Sequence, residues 1–288
     1  MKLQFRNFTF LLLTLLSTPG INAINHATVK FNNEASDTTF ITSILIEASQ
    51  QNLTNSAERI DFLTKKFIGK PYKAGTLESE KEEVTVNMDE FDCTTFVESI
   101  IAMAITLDEH RTSWRDFVFN LEKIRYRNGE CNGYASRLHY VSDWIVDNTY
   151  RGNMEEVTER IIVRSDSKIK TIDYMTANRE KYPALKDDAT FEKMKSVEIG
   201  FRSHRIPYIK GMNLGSARLQ SGDIIAITTN LKNLDVSHMG ILTIINGTPH
   251  MIHASSKAGK IIIDPLPLAE WLKRSRTNTG IRVIRLKE

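Results

Sequence analysis

The chain predicts an α+β fold, a helical N-terminal half packed on a C-terminal antiparallel β-sheet or small barrel. Three observations carry this. Residues 39–148 place apolar side chains at helical spacing, residues 223–286 break into short β-branched runs separated by turns, and Asn246-Gly247 joins two of those runs as a two-residue hairpin turn. With 288 residues, 41% of them hydrophobic, there is enough chain for one large domain with a real core.

The first residues read as an export signal. Lys2 and Arg6 precede an apolar stretch from Phe8 to Leu16, and Pro19-Gly20-Ile21-Asn22-Ala23 supplies a break and a small residue for cleavage. The stretch is too short for a membrane span. Removing residues 1–23 lowers the formal charge from +3 to +1. That balance leaves no footprint for nucleic acid. The expected product is an exported, soluble, periplasmic monomer, with one catalytic domain over residues 24–288.

Next come helices over Thr39–Ala48 and Ala57–Ile68. The turn-rich segment Gly69-Lys70-Pro71-Tyr72-Lys73-Ala74-Gly75-Thr76 follows, then a short strand at Val84–Met88. Positions 93, 96, 97, 100, 104 and 107 form one apolar helix face, with Asp92 as the N-cap. Further helices are expected near Trp114–Arg125 and Arg137–Asn148. In the interval 151–218, Val157–Val163 reads as a strand. Ile172–Lys195 reads as charged helix broken by Pro183, and Val197–Lys210 as strands around Pro207. This interval has the character of an insertion, either one that shapes a binding surface or a solvated elaboration with no role. Strands are expected at Asp223–Thr229, Met239–Ile245, Pro249–Ala254, Ile261–Asp264 and Ile281–Leu286.

The chemistry centres on Cys93. A thiol in the first turn of a helix faces unpaired N–H groups and the positive end of the dipole. Both favour the thiolate, so rapid labelling at neutral pH is expected. Two histidines lie in strands downstream. A two-residue turn at Asn246-Gly247 pairs Ile245 with Thr248, which sets His238 opposite Ser255 and makes His253 its diagonal neighbour, roughly 7–8 Å away on the same face. If the Cys93 helix lies on that face, the thiol reaches His238. Cys93 is then the nucleophile, His238 the base and His253 the group that orients it. The Cys93 N–H and Tyr72 are candidate oxyanion donors. Arg137 and His139 are candidates for binding a sugar or carboxylate. The other cysteine, Cys131, reads as a free surface thiol. His26, His110, His204 and His250 read as surface residues. No cofactor and no metal are expected. Zinc held by one cysteine and two histidines is the competing chemistry, but the sequence lacks a His-Glu-x-x-His helix.

The order of motifs is recognisable: Gly69-Lys70-Pro71-Tyr72, Phe91-Asp92-Cys93-Thr94-Thr95-Phe96-Val97-Glu98, Gly222-Asp223-Ile224-Ile225, Ser237-His238-Met239-Gly240-Ile241 and Ile252-His253-Ala254-Ser255. It resembles the NlpC/P60 family of papain-like cell-wall cysteine hydrolases. The resemblance implies a papain-like fold with a large insertion. It implies Cys93, His238 and His253 as the catalytic set, with Tyr72 contributing to the site. Peptidoglycan fragments (muropeptides) are the implied substrates. The familiar Asp-Cys-Ser-Gly is here Asp92-Cys93-Thr94-Thr95. That form is similar to a branch of N-acetylmuramoyl-L-alanine amidases, which implies cleavage between the muramyl lactyl group and L-alanine. The alternatives are γ-D-glutamyl endopeptidase activity and a non-catalytic wall-binding module of the same fold.

Overall fold

The computed structural model describes residues 28–79, 81–201 and 203–287. The expected export signal, residues 1–23, lies outside them. Strand β1 (Val29–Phe31) pairs in parallel with β2 (Val84–Val86), enclosing helices α1 (Glu34–Ser49) and α2 (Ser56–Lys65) between them in sequence. Helices α3 (Cys93–Asp108), α4 (Trp114–Arg125) and α5 (Val141–Tyr150) complete the helical half. Strand β3 (Met154–Glu156) enters the main sheet. Then come β4 (Asp166–Lys170), α6 (Tyr174–Ala177), α7 (Asp188–Gly200) and β5 (His204–Tyr208). The rest is β6 (Ile224–Thr229), β7 (Val236–Ile245), β8 (Thr248–Ser255), β9 (Lys260–Ile263), helix α8 (Leu268–Lys273) and β10 (Asn278–Leu286). Among the described residues no helix is long and apolar enough to cross a membrane.

The main sheet is antiparallel, six-stranded, in the order β3-β10-β6-β7-β8-β9. The Asn246-Gly247 turn has positive φ at both residues (48° and 77°), as a type I′ turn requires, and pairs Ile245 with Thr248. Side chains alternate between two cores. Ile224, Ala226, Met239, Ile241, Ile252 and Ala254 join the helices on one face. Ile225, Ile227, Leu242, Met251, Ile281 and Val283 join Leu268 and Leu272 of α8, with Val157, Ile161, Ile209 and Leu214, on the other. A sheet buried on both faces reads as continuous apolar runs, and all six β6 residues are buried.

Several expectations are corrected here. Helix α3 is not one-sided: every residue from Thr95 to Leu107 is buried, because it contacts α1, α2, α4 and the sheet together. Polar residues on its other sides are therefore paired internally, as in the buried Glu98–Arg125 ion pair at 2.6 Å. Residues 137–140 are not helical; Arg137 forms a bridge with Tyr126, and α5 begins only at Val141. The strand expected at 157–163 is three residues earlier and short, because Val157 and the residues after it turn to cover the sheet. The interval 151–218 thus builds part of the main sheet and its second cover. Only its middle forms a separate layer, β4 and β5 paired beside α6 and α7, with its own core of Ile172, Met175, Leu185, Met194 and Ile206.

Candidate active site

Cys93 opens α3. Asp92 caps the helix, its Oδ1 accepting from the N–H groups of Thr94 (3.0 Å) and Thr95 (2.8 Å), while the Thr95 hydroxyl accepts from the Asp92 N–H (3.0 Å) in a reciprocal box. This gives Thr95 a structural role, and Thr94 lies beside the sulfur, Oγ1 to Sγ 3.9 Å. The approach to Cys93 is fixed by the Gly-Lys-Pro-Tyr turn, which threads between β9 and the residues before α3. Tyr72 N–H donates to Gly259 O (2.9 Å) and Phe91 N–H to Pro71 O (3.0 Å), so an extended Tyr72 runs beside Phe91. Burial and the nearby Cys93 and Asp92 charges raise the Tyr72 phenol pKa above its ordinary value, which keeps it a donor.

The two histidines meet. His238 Nε2 lies 2.7 Å from His253 Nδ1, and the rings are edge to face, 4.8 Å apart at an interplanar angle of 89°. Both imidazoles share a face, as the hairpin register predicts. The face is a different one from that supposed for the helix. Met239 and Ala254, their neighbours along the strands, belong to the helix-side core, so the imidazoles alternate to the side of α8. There Trp271 stacks on His238 (5.7 Å, 19°) and meets His253 edge-on (5.9 Å, 80°). The thiol meets the histidine strand from the helix side, where the backbone of Met239, the residue after His238, is close enough to lower its pKa. The β7–β8 ladder runs from Ile245–Thr248 only to Ile241–Ile252, so the strands have parted at this end.

Beyond His253 stands Asp264, which sequence reading missed. Its Oδ2 lies 3.3 Å from His253 Nε2 and 3.3 Å from Arg274 Nη1, and its Oδ1 accepts from Leu266 N–H at 2.9 Å. A signal existed. Ile262 pairs with His253, so Asp264, two residues on, falls on the same face. Trp271 was missed because α8 is only six residues long and follows two prolines.

Electrostatics correct the expectation of a ready thiolate. Burial, followed by the Asp92 carboxylate, pushes the Cys93 thiol up to about 11, against weaker help from the Met239 backbone and the Thr94 hydroxyl. Burial, with His253 beside it, pushes His238 down to about 3 against the pull of Asp264. The resting pair is a neutral thiol and a neutral imidazole.

Arg137 and His139 line a cavity of about 290 Å³ beside Cys93, together with Asp92, Thr94, Glu78, Glu98, Lys181 and Tyr182. Lys181 and Tyr182 come from the 151–218 interval. Arg137 is already occupied: it pairs with Glu78 (2.9 Å) and Glu82 (3.1 Å) and lies over the Tyr134 ring (4.9 Å). His139 Nε2–H donates to Tyr134 O (2.9 Å); burial and Arg137 hold its pKa well below the ordinary imidazole value, leaving Nδ1 as an acceptor. Cys93 and Cys131 are both free, and Cys131 is half-buried against the core rather than exposed. His250 is tied by Nδ1 to the Asp264 backbone oxygen (3.0 Å). Among the described residues no group of three or more His, Cys, Asp or Glu side chains is arranged to hold a metal ion.

Comparisons with known proteins place the chain among amidase-like folds. A family model described as AmiA-like, N-acetylmuramoyl-L-alanine amidase-like, matches residues 62–281. A crystal structure of an N-acetylmuramoyl-L-alanine amidase from Bacteroides uniformis is 36% identical, with a TM-score of 0.77, covering 81% of this chain and 99% of that one. A putative xylanase from Bacteroides fragilis is 40% identical, with a TM-score of 0.74, covering 78% and 99%. The Legionella pneumophila protein LPG0564 is 22% identical, with a TM-score of 0.65 over 89% and 97%, and shares the fold. No curated protein matches the chain.

Proposed function

This chain belongs to the AmiA-like, N-acetylmuramoyl-L-alanine amidase-like family, and from that premise we propose that it is a cysteine-dependent peptidoglycan amidase. It cleaves the amide between the lactyl group of N-acetylmuramic acid and L-alanine in muropeptides. The observation that carries the cysteine dependence is Cys93 at a capped helix start, on the helix side of the strand in which the residue before Met239 belongs to a histidine pair.

In this reading the open end where β7 and β8 part lets His238, although its ring lies toward α8, bring Nδ1, the ring nitrogen not used by His253, past the strand edge to take the thiol proton as Cys93 Sγ bonds to the amide carbonyl carbon. Because thiol and imidazole both rest neutral, proton transfer accompanies attack rather than preceding it. The oxyanion is held by the Cys93 N–H and the Tyr72 hydroxyl. Collapse breaks the C–N bond, and the His238 imidazolium returns its proton to the L-alanine amine. Water, deprotonated by His238, then cleaves the thioester and releases the lactyl carboxylate.

The cavity beside Cys93 is the substrate groove, and Lys181 and Tyr182 give the 151–218 interval its part in specificity. His139 contacts substrate through Nδ1. Arg137, neutralised by Glu78 and Glu82, keeps the groove wall in place rather than pairing with a substrate carboxylate. The architecture is read as papain-like, of NlpC/P60 type. The protein is read as exported through residues 1–23 to the periplasm, as one domain over 24–288, acting as a monomer.

Rapid-quench intact mass tests the reading. A muropeptide substrate should leave a muramoyl adduct, without peptide, on the wild-type protein and none on Cys93→Ala. An adduct that retains L-alanine and D-glutamate would instead mark a γ-D-glutamyl endopeptidase.

A further inference from the structure

We propose that Asp264 is the positioning residue that fixes the proton on both imidazoles and thereby keeps His238 Nδ1 bare to receive the thiol proton. The inference rests on the assignment of His238 as base.

Two arrangements of the neutral histidine pair satisfy the 2.7 Å contact between His238 Nε2 and His253 Nδ1 equally well. In one, His238 donates and its Nδ1 carries a lone pair. In the other, His253 donates, and the single proton of His238 sits on Nδ1, where a base must be empty. Neutral imidazole carries one N–H, so choosing the tautomer of one ring chooses that of the other. The pair alone does not choose.

Asp264 does. A carboxylate accepts and does not donate, so the 3.3 Å contact with His253 Nε2 requires a proton on that nitrogen. His253 Nδ1 is then bare, His238 Nε2 must donate to it, and His238 Nδ1 is left with its lone pair. Asp264 is itself held from three directions. Its backbone N–H continues the β8–β9 ladder to Met251 O (2.9 Å), Leu266 N–H donates to Oδ1 (2.9 Å), and Arg274 shares Oδ2 (3.3 Å). The side chain is buried, 3% exposed, so water does not compete for the contact. An asparagine cannot replace it. Its NH2 group faces a donor whichever way it is turned, Leu266 N–H on one side or His253 and Arg274 on the other.

Histidine 15N NMR of the full-length protein at neutral pH, paired with steady-state kinetics, tests this. In the wild type His238 Nδ1 and His253 Nδ1 should show the shift of a bare nitrogen, and both Nε2 atoms that of N–H. In Asp264→Asn the two tautomers should mix, with kcat falling about 10- to 100-fold and KM changing less than about twofold. A proton on His238 Nδ1 in the wild type overturns the proposal whether or not any variant folds. Unchanged tautomers or unchanged kcat in Asp264→Asn overturn it too. The same spectra recorded on Cys93→Ala separate this inference from the nucleophile assignment, since the tautomers do not require a working thiol.

Discussion

His253 sits between His238 and Asp264, with one ring nitrogen 2.7 Å from the imidazole and the other 3.3 Å from the carboxylate. It therefore relays orientation from a buried strand end to the residue read as the base. Its position makes the roles of the surrounding side chains separable by mutation.

Cys93→Ala should lower kcat by at least about 10⁴-fold with an unchanged circular dichroism spectrum, since removing a nucleophile leaves only binding and oxyanion stabilisation. Muropeptide turnover followed by chromatography checks this.

His238→Ala should cost nearly as much, whereas His253→Ala should cost about 10- to 100-fold, because an orienting group contributes less than the base it orients. Comparing kcat for the two variants tests the order. Equal losses would assign His253 a direct part in proton transfer.

The resting Cys93 thiol should be slow toward iodoacetamide at pH 7. With its pKa pushed up to about 11, only on the order of one molecule in ten thousand is thiolate there, and the rate should climb as pH rises toward that value. A thiolate–imidazolium pair would instead react faster than a free thiol at neutral pH. The helix start alone points to that faster outcome, which is why burial and Asp92 matter to the interpretation.

Acid should destabilise the protein through His238. Its folded value is depressed to about 3 from 6.5, so its contribution is fully present above pH 6.5 and is lost as pH falls from there toward 3. His253, also depressed by burial, acts in the same direction. Melting temperature against pH should fall across that window, and less steeply in His238→Asn. A variant with the wild-type slope contradicts the assignment.

Arg137→Met should lower stability by about 3 kcal/mol, because it strands Glu82, 5% exposed, without its cation. Burial already raises the Glu82 pKa, so the carboxyl has little reserve of solvation to fall back on. Denaturant titration measures the loss, and a neutral result would free Arg137 for a direct role in binding.

How much of this was legible in the sequence follows from the range of the interactions. The hairpin at Asn246-Gly247 is local, so turn chemistry alone set the register that brings His238 and His253 to one face. Asp92 and Cys93 were legible for the same reason, as a cap and a helix start. Asp264 needed the same parity reasoning carried across a second, four-residue connection, from Ser255–Lys260 onward. What escaped was set by distant packing. The burial of α3 on all sides depends on α1, α2 and α4 converging on it. The short β1–β2 pair unites segments more than fifty residues apart. The raised thiol pKa comes first from burial, which is likewise set by packing rather than by the local sequence.

The central claim is that Cys93 cuts the bond between muramic acid and L-alanine. Mass spectrometry of a defined muropeptide after digestion tests it most directly. The account predicts a freed muramic acid sugar and a peptide beginning with L-alanine, and neither product with Cys93→Ala. A sugar still carrying a dipeptide, or the same products from Cys93→Ala, would contradict it.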